Sequence, residues 1–455
     1  MLINKSYKFR LYPTKEQIPT LKQHAGNSRF TWNKLLEYAN AIKHNTKKYP
    51  NWCDLAKQVI ELKKNNEFLG LSYSQPLQVN AQRLNVTFQK ALKPEVVAKR
   101  NKKIAIAKSE PNEEIRNKKL VRALNFGFPK FKAKAQSKDS IFYPQHFVVK
   151  KSRILFPKLG WINYVKHRDI EGKPKFLTIT QDGDQWYVSI TTELEVKENA
   201  KPELSNANIV GIDVGLTTFA TMSDGTTIEN PRILKKYMKK LRKESRKLSR
   251  QKMEETNKKS FSGKTIKESS QNRNKQIIKL QRIHRKIRNI RKDFLHNFTH
   301  NIITKYDGVI LEDLDIQELL KKNGKAMNRS ISDVSWFEFG RMMEYKSAWA
   351  SKHFMKVDQY FPSTQKCSRC GSISHMSLKN RVYKCSNCKL EMGRDPNASL
   401  NLRNEGIRLL KDEQNTKNTK STVATTGIEV CGPDVISTGL KQKKRRFRQS
   451  ATVVA

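Results

Sequence analysis

Along the chain, apolar residues recur every second position in some stretches and every third or fourth in others. Residues 2–12, LINKSYKFRLY, alternate polar and apolar and predict a strand that Pro13 stops. The next segment, TKEQIPTLKQHAGNSRFTWNKLLEYANAIK, sets Leu21, Phe30, Trp32, Leu35 and Leu36 on an imperfect helical face. More helix, dense in Lys and Arg, is expected to about residue 124. From Phe126 to Val196 short runs rich in Phe, Tyr, Ile, Val and Thr, such as SRILFPKLG, KFLTITQ and QWYVSITTELEV, stand between Gly-containing turns. They predict a small antiparallel β-domain. If strand 2–12 belongs to that domain, the helical region is an insertion within a barrel.

A linker at 197–208 leads to NIVGIDVGLTTFATMSDGTTIEN, which reads as two or three antiparallel strands with Asp224-Gly225 as a tight turn. Leu280, Ile283, Ile287, Ile290, Phe294, Phe298 and Ile302 keep the three-and-four spacing of a helix seated on a core. With the segment before it, this helix suggests a hairpin with a mobile tip. A buried strand is expected at 307–316, a polar loop at 321–333, a helix at about 333–353 with Asp333 as its N-cap, a strand at 355–361 and a final helix at 395–413. The last 40 residues lack periodicity and are expected to be disordered.

Charge changes the picture. The 455 residues carry 90 Lys and Arg against 42 Asp and Glu, a formal net charge of +48. Such a field implies a polyanionic partner, and nucleic acid is preferred to a membrane surface. No apolar run approaches the roughly 18 residues of a spanning helix, and no signal-peptide core follows Met1. Between Pro231 and Lys305, 25 Lys and Arg face five Asp and Glu, so the hairpin's basic faces are expected to point outward to phosphates. A solvated helix face is the plainer reading of such charge. Six cysteines are too few for a disulfide scaffold in a chain this long, which favours a reducing cytoplasm. Cys53 and Cys431 stand alone as ordinary thiols.

The strongest chemical signal is CSRCGSISHMSLKNRVYKCSNC. Cys367 and Cys370 are two residues apart, Cys385 and Cys388 likewise, and 14 residues separate the pairs. Two such knuckles suit one tetrahedral, structural zinc ion, with His375 a spare surface histidine. A second signal is the acid Asp213 inside the apolar run Ile209, Val210, Ile212, Val214. An unpaired buried carboxylate costs several kcal/mol, so an arginine, a hydrogen-bond nest or a metal must compensate it. Gly211 and Gly215 leave room for a close ligand. A phosphate-binding hairpin of the actin-like ATPase kind, using Thr217 and Thr218, is a weaker option because Leu216 intrudes and no Gly-rich adenosine loop follows. Glu312 ends an apolar strand in VILEDLD as Asp213 does, and Asp395 opens a helix in GRDPNASLNL. Taken singly, Glu312 could pair with a lysine and Asp395 could be a helix cap. Together, three carboxylates on three elements are what a two-metal Mg²⁺ site needs to hydrolyse a phosphodiester. Asp224, Asp313 and Asp315 read as surface or turn residues.

The ordered set YKFRLYPTKEQ, FTWNKLL, FPKFK (128–132), GIDVGLTTFA, LEDL, TQKCSRCG, YKCSNC and GRDPNASLNL resembles the TnpB (OrfB) family of bacterial insertion sequences, relatives of type V CRISPR nucleases. The resemblance implies an α+β multidomain fold. Residues 1–14 would give the first strand of a wedge-type β-barrel, 15–125 an inserted helical recognition domain and 126–200 the rest of the barrel. A RuvC-like nuclease of RNase H fold with a basic helical hairpin would fill 205–360, a zinc ribbon 361–392, the end of the nuclease 393–412 and a basic tail 413–455. It further implies that Asp213, Glu312 and Asp395 are a magnesium-binding catalytic triad. The partners would be a guide RNA from the transposon end and double-stranded DNA, cut beside a short adjacent motif. A DNA-binding regulator that does not cut, and a transposase that joins ends, are the rival functions. All three acids are present, which favours cutting.

Overall fold

The computed structural model describes residues 2–46, 48–133, 140–196, 199–251, 254–259, 265–268, 270–377 and 380–423. Strand β1 (Leu2–Tyr12) buries Ile3, Tyr7, Phe9 and Leu11 on one face, as its alternation requires. Six helices follow: α1 (Gln17–Thr46), α2 (Trp52–Lys64), α3 (Glu67–Gly70), α4 (Ser74–Ala91), α5 (Pro94–Lys108) and α6 (Glu113–Leu124). Then come β2 (Ser140–Tyr143), β3 (Val148–Val149), β4 (Arg153–Phe156), β5 (Gly160–Val165), β6 (Lys173–Asp182) and β7 (Gln185–Glu195). These strands form one antiparallel sheet in the order β2-β6-β7-β1-β5-β4-β3, with β1 in the middle. In a flat sheet β2 and β4 would stand about 24 Å apart, five spacings of ~4.8 Å. Instead the Tyr143 and Phe156 rings lie 5.2 Å apart, so the sheet curls around its core.

The helices are thus inserted between the sheet's central strand and an edge. One helix ties the insertion down, because Leu21 and Ala25 of α1 join the sheet's core while Trp32, Leu35, Leu36 and Ala39 join a second core with α2 and α4. Asn51 and Asp54 close a reciprocal capping box at the start of α2, satisfying two otherwise orphaned N–H groups.

A second unit begins with the antiparallel β8 (Ile209–Val214), β9 (Thr218–Met222) and β10 (Thr227–Glu229). The basic hairpin consists of α7 (Ile233–Arg250), two short strands β11 (Glu254–Lys259) and β12 (Thr265–Glu268), and α8 (Gln271–Lys305). Of the middle segment 257–275, expected to form a mobile tip, part falls on β11, β12 and the start of α8, while 260–264 and 269 lie outside the described residues. Next come β13 (Gly308–Glu312), α9 (Ile316–Lys322), α10 (Lys325–Val334), α11 (Trp336–Trp349), β14 (His353–Val357), a hairpin of β15 (Val382–Lys384) and β16 (Glu391–Gly393), and α12 (Arg394–Val423). The sheet order is β10-β9-β8-β13-β14, with β13 parallel to both of its neighbours. Helices α8 and α11 cover one face through Leu295, Phe298, Phe339 and Met343, and α12 covers the other through Leu402 and Leu410. A sheet with parallel strands needs both faces buried in this way.

The structure corrects several expectations. The polar loop at 321–333 is largely α10, which buries only Ile331 and Val334 and so shows little periodicity. Asp333 does not cap α11. It accepts the backbone N–H of Leu234 at the start of α7 (3.0 and 2.9 Å) and an Arg291 bond of 2.8 Å. The strand expected at 355–361 is β14, two residues earlier and shorter. Helix α12 runs ten residues past 413, and 424–455, including Cys431, lie outside the described residues. Part of the basic face of α8 turns inward: Arg282 and Arg285 grip Asp184, and Arg288 pairs with Asp182, at the β6–β7 turn. These pairs join the curled sheet to the second unit.

Candidate active site

The pleat of β8 sorts its residues between two cores. Val210 and Ile212 face α8 and α11, whereas Ile209 and Gly211 face α12. Asp213 shares the α12 side by the two-residue period. In β13, Ile310 faces α12 and lies opposite Gly211 in the parallel register. One step further, that register sets Glu312 beside Asp213, both at the carboxyl ends of their strands. Helix α12 packs directly on the β8 backbone, since a Cβ on Gly211 would lie 2.2 Å from the Ser399 carbonyl oxygen and 2.5 Å from Arg403 N. The room at Gly211 therefore serves the helix rather than a ligand, and Gly215 makes room for the Thr218 carbonyl. Asp395 is the second residue of α12 and so reaches the same strand ends.

Electrostatics link the acids at Asp213, which feels the charges of both Asp395 and Glu312. Burial raises Asp213 to about 7, repulsion from Asp395 and Glu312 adds to the rise, and Arg394 and the Val214 N–H oppose it. Burial takes Glu312 to about 7. Arg394 Nε lies 3.2 Å from Asp395 Oδ1. A half-buried trio of carboxylates, with Arg394 beside it, offers hard oxygen donors suited to a divalent cation.

The other acids have structural partners. Asp224 accepts the Thr226 N–H and bonds Lys305 and Tyr306, tying its turn to the end of α8. Asp315 caps α9, and Asp313 pairs with Lys356 at 3.1 Å.

The four cysteines converge. Cys367 and Cys388 Sγ are 3.5 Å apart, Cys370 and Cys385 3.6 Å, and all four lie within 4.8 Å of one another. A tetrahedron with Zn–S bonds of ~2.3 Å has edges of about 3.8 Å, so the four thiolates fit one zinc ion. The Ser372 hydroxyl, 3.1 Å from both Cys370 and Cys385, favours their thiolate forms. His375 is exposed and outside the cluster. Among the described residues no other group of three or more ligand atoms draws so close. Cys53 is exposed and free.

Sequence reasoning missed the residues that join this cluster to the acids. Asn397 and Asn401, buried and one turn apart on α12, hold the knuckle loop. Asn397 accepts the Ser368 N–H and donates to the Lys366 carbonyl, and Asn401 donates to the Ser363 and Lys366 carbonyls. The signal was available as two amides at i and i+4, each followed by an apolar residue, Ala398 and Leu402, that is also buried.

Three family models match the chain. One described as a probable transposase covers residues 189–323, one described as a Cas12f1-like TNB domain covers 336–402, and one described as a helix-turn-helix domain covers 1–48. Among the described residues of that stretch the structure has a strand, Leu2–Tyr12, and one long helix, Gln17–Thr46. The protein described as "Putative RNA-guided DNA endonuclease InsQ" of Escherichia coli (strain K12) is 31% identical over 426 residues, 89% of this chain and 93% of that one. A "Putative RNA-guided DNA endonuclease" of Streptomyces pristinaespiralis is 28% identical, covering 89% and 90%. A solved structure of "the mini-RNA-guided endonuclease CRISPR-Cas_phi3" aligns over 89% of this chain and 92% of its own, with a TM-score of 0.42 and 12% identity.

Proposed function

The chain belongs to the TnpB (OrfB) family, and from that premise we propose that it is an RNA-guided DNA endonuclease whose cutting site is Asp213, Glu312 and Asp395. The observation that supports the proposal is that the parallel register sets Glu312 beside Asp213 at the strand ends, and that the charges of Glu312 and Asp395 both act on Asp213. Three antiparallel strands followed by two parallel ones, in the order β10-β9-β8-β13-β14, support an RNase H-type, RuvC-like reading of this unit. The curled sheet with its helical insertion is read as the wedge and recognition domains, and the cysteine hairpin as a zinc ribbon.

Asp213, Glu312 and Asp395 would hold two Mg²⁺ ions, which when bound supply an activated water and stabilise the leaving oxygen of the phosphodiester. The chain's own residues do the rest. The sheet fixes two of the acids, α12 carries the third, and Arg394 orients Asp395. The exposed basic face of α7 holds phosphates. Sequence would be read by pairing between a guide RNA from the transposon end and the target DNA, beside a short adjacent motif.

The test measures binding and cutting in one preparation with a matched guide. Asp213→Ala, Glu312→Ala or Asp395→Ala removes a carboxylate and no phosphate-binding cation. Guide and target should still bind while cutting falls by orders of magnitude. Near-normal cutting by any of the three removes that acid from the site, and cutting that persists in chelator sinks the metal chemistry.

A further inference from the structure

Beside Glu312 lies a cavity of about 200 Å³, set between the carboxyl ends of β8 and β13 and the start of α11. Val214, Leu314, Ile316, Trp336 and Phe339 give it apolar and aromatic walls, and Glu312 forms part of its lining. Phe337 also lines it. This side chain is 72% exposed, although Phe339, two residues on, is buried. Leaving a phenyl ring in water forgoes the gain of burying it, and nothing in the packing of α11 among the described residues requires Phe337 to be aromatic. Arg341 stands at the same cavity, more than half exposed, with Glu338 as its partner.

We propose that this cavity receives one unpaired base of the DNA strand being cut, stacked on Phe337, so that the neighbouring phosphodiester is presented to the carboxylates. The inference rests on the reading of Asp213, Glu312 and Asp395 as the cutting site. A nucleobase fits the observations because Glu312, one of the three acids, lines the cavity where it opens on the α11 side of the sheet past Val214, Leu311 and Phe339, and because the chain's +48 charge draws polyanions. Stacking on an aromatic ring is tolerant of sequence, since every base offers a π-face. That tolerance suits an enzyme whose sequence discrimination is delegated to pairing elsewhere. A base still paired and stacked in a duplex cannot enter. Phe337 therefore selects an unwound strand, acting as a positioning and specificity residue.

The experiment uses full-length protein loaded with guide and follows single-turnover cutting of targets in which nucleotides around the cut are replaced one at a time by abasic residues. For wild type, one position should slow cutting about 10-fold when its base is missing, the size expected from one base–aromatic stack. Phe337→Ala should slow cutting of the intact target by a similar factor and lose the sensitivity at that position. Phe337→Trp should restore both. The two losses should not add, because each removes the same stacking interaction. Melting of Phe337→Ala should match wild type, as expected for so exposed a side chain. Cutting that is indifferent to every abasic position, or a Phe337→Ala protein that keeps the wild-type abasic profile, overturns this inference and leaves the carboxylate assignment intact. Wild-type protein that binds guide and target but never cuts overturns both.

Discussion

Asp213 carries a buried carboxylate that, with no cation beside it, costs the folded chain stability. Its carboxyl is raised to about 7 by burial, Asp395 and Glu312, against about 3.9 in an unfolded chain. Between those values the folded state holds a proton that the unfolded state releases, so stability falls as pH rises through roughly 4 to 7 and the penalty is complete above that. In chelator, Asp213→Asn should therefore be more stable than wild type at pH 8, by on the order of 1–3 kcal/mol. At pH 4 the difference should largely vanish. Unfolding curves at both pH values check this, and an Asn variant less stable than wild type at pH 8 would refute the account. The same variant should not cut, which places the residue where function and stability are opposed.

At the scale of elements, long periodic segments were legible and short or non-local ones were not. The alternation in β1 and the stripe from Leu280 to Ile302 on α8, in which Ile290 alone is exposed, announce their buried faces over many residues. Helix α10 buries two side chains in ten residues, too few to set a period. Asp333 looked like a cap for the helix beside it, but the N–H it satisfies belongs to Leu234, 99 residues away, and no local pattern reveals that. Gly211 showed that something approaches β8 closely without showing that it is α12. The candidate site was legible residue by residue because each acid interrupts an apolar run or opens a helix, whereas the coupling of zinc hairpin to acids ran through Asn397 and Asn401. That coupling makes a prediction. Cys385→Ser should release zinc and lower stability, because a structural site contributes folding energy outright. It should also reduce cutting, since the knuckle loop and Asp395 share α12. Asn397→Ala should weaken cutting while leaving the four thiolates able to bind metal. Zinc content measured beside cutting rate separates the two variants, and full cutting by zinc-free protein would break the link.

Across the whole molecule the question is which of the 90 cations meet nucleic acid. Net charge alone cannot sort them, because Arg282, Arg285 and Arg288 sit in the same basic run as α7 yet clamp Asp182 and Asp184 at the β6–β7 turn. Lys239, Lys240 and Lys243 of α7 are instead exposed. Binding of guide RNA should weaken steeply with salt, as phosphate-bound cations release counterions. Replacing these three lysines with alanine should flatten the slope of log affinity against log salt by about 2–3, near 0.7–0.9 for each phosphate no longer neutralised. Arg285→Ala should behave differently. Its guanidinium is nearly buried against Asp184, so its loss should destabilise the junction between the curled sheet and the second unit and leave the slope nearly unchanged. Affinity titrations at several salt concentrations, with melting curves for each variant, distinguish the two roles. A triple variant with the wild-type slope would remove α7 from the nucleic-acid interface, and an Arg285→Ala slope that falls as far as the lysines' would show that the clamp arginines meet phosphate after all.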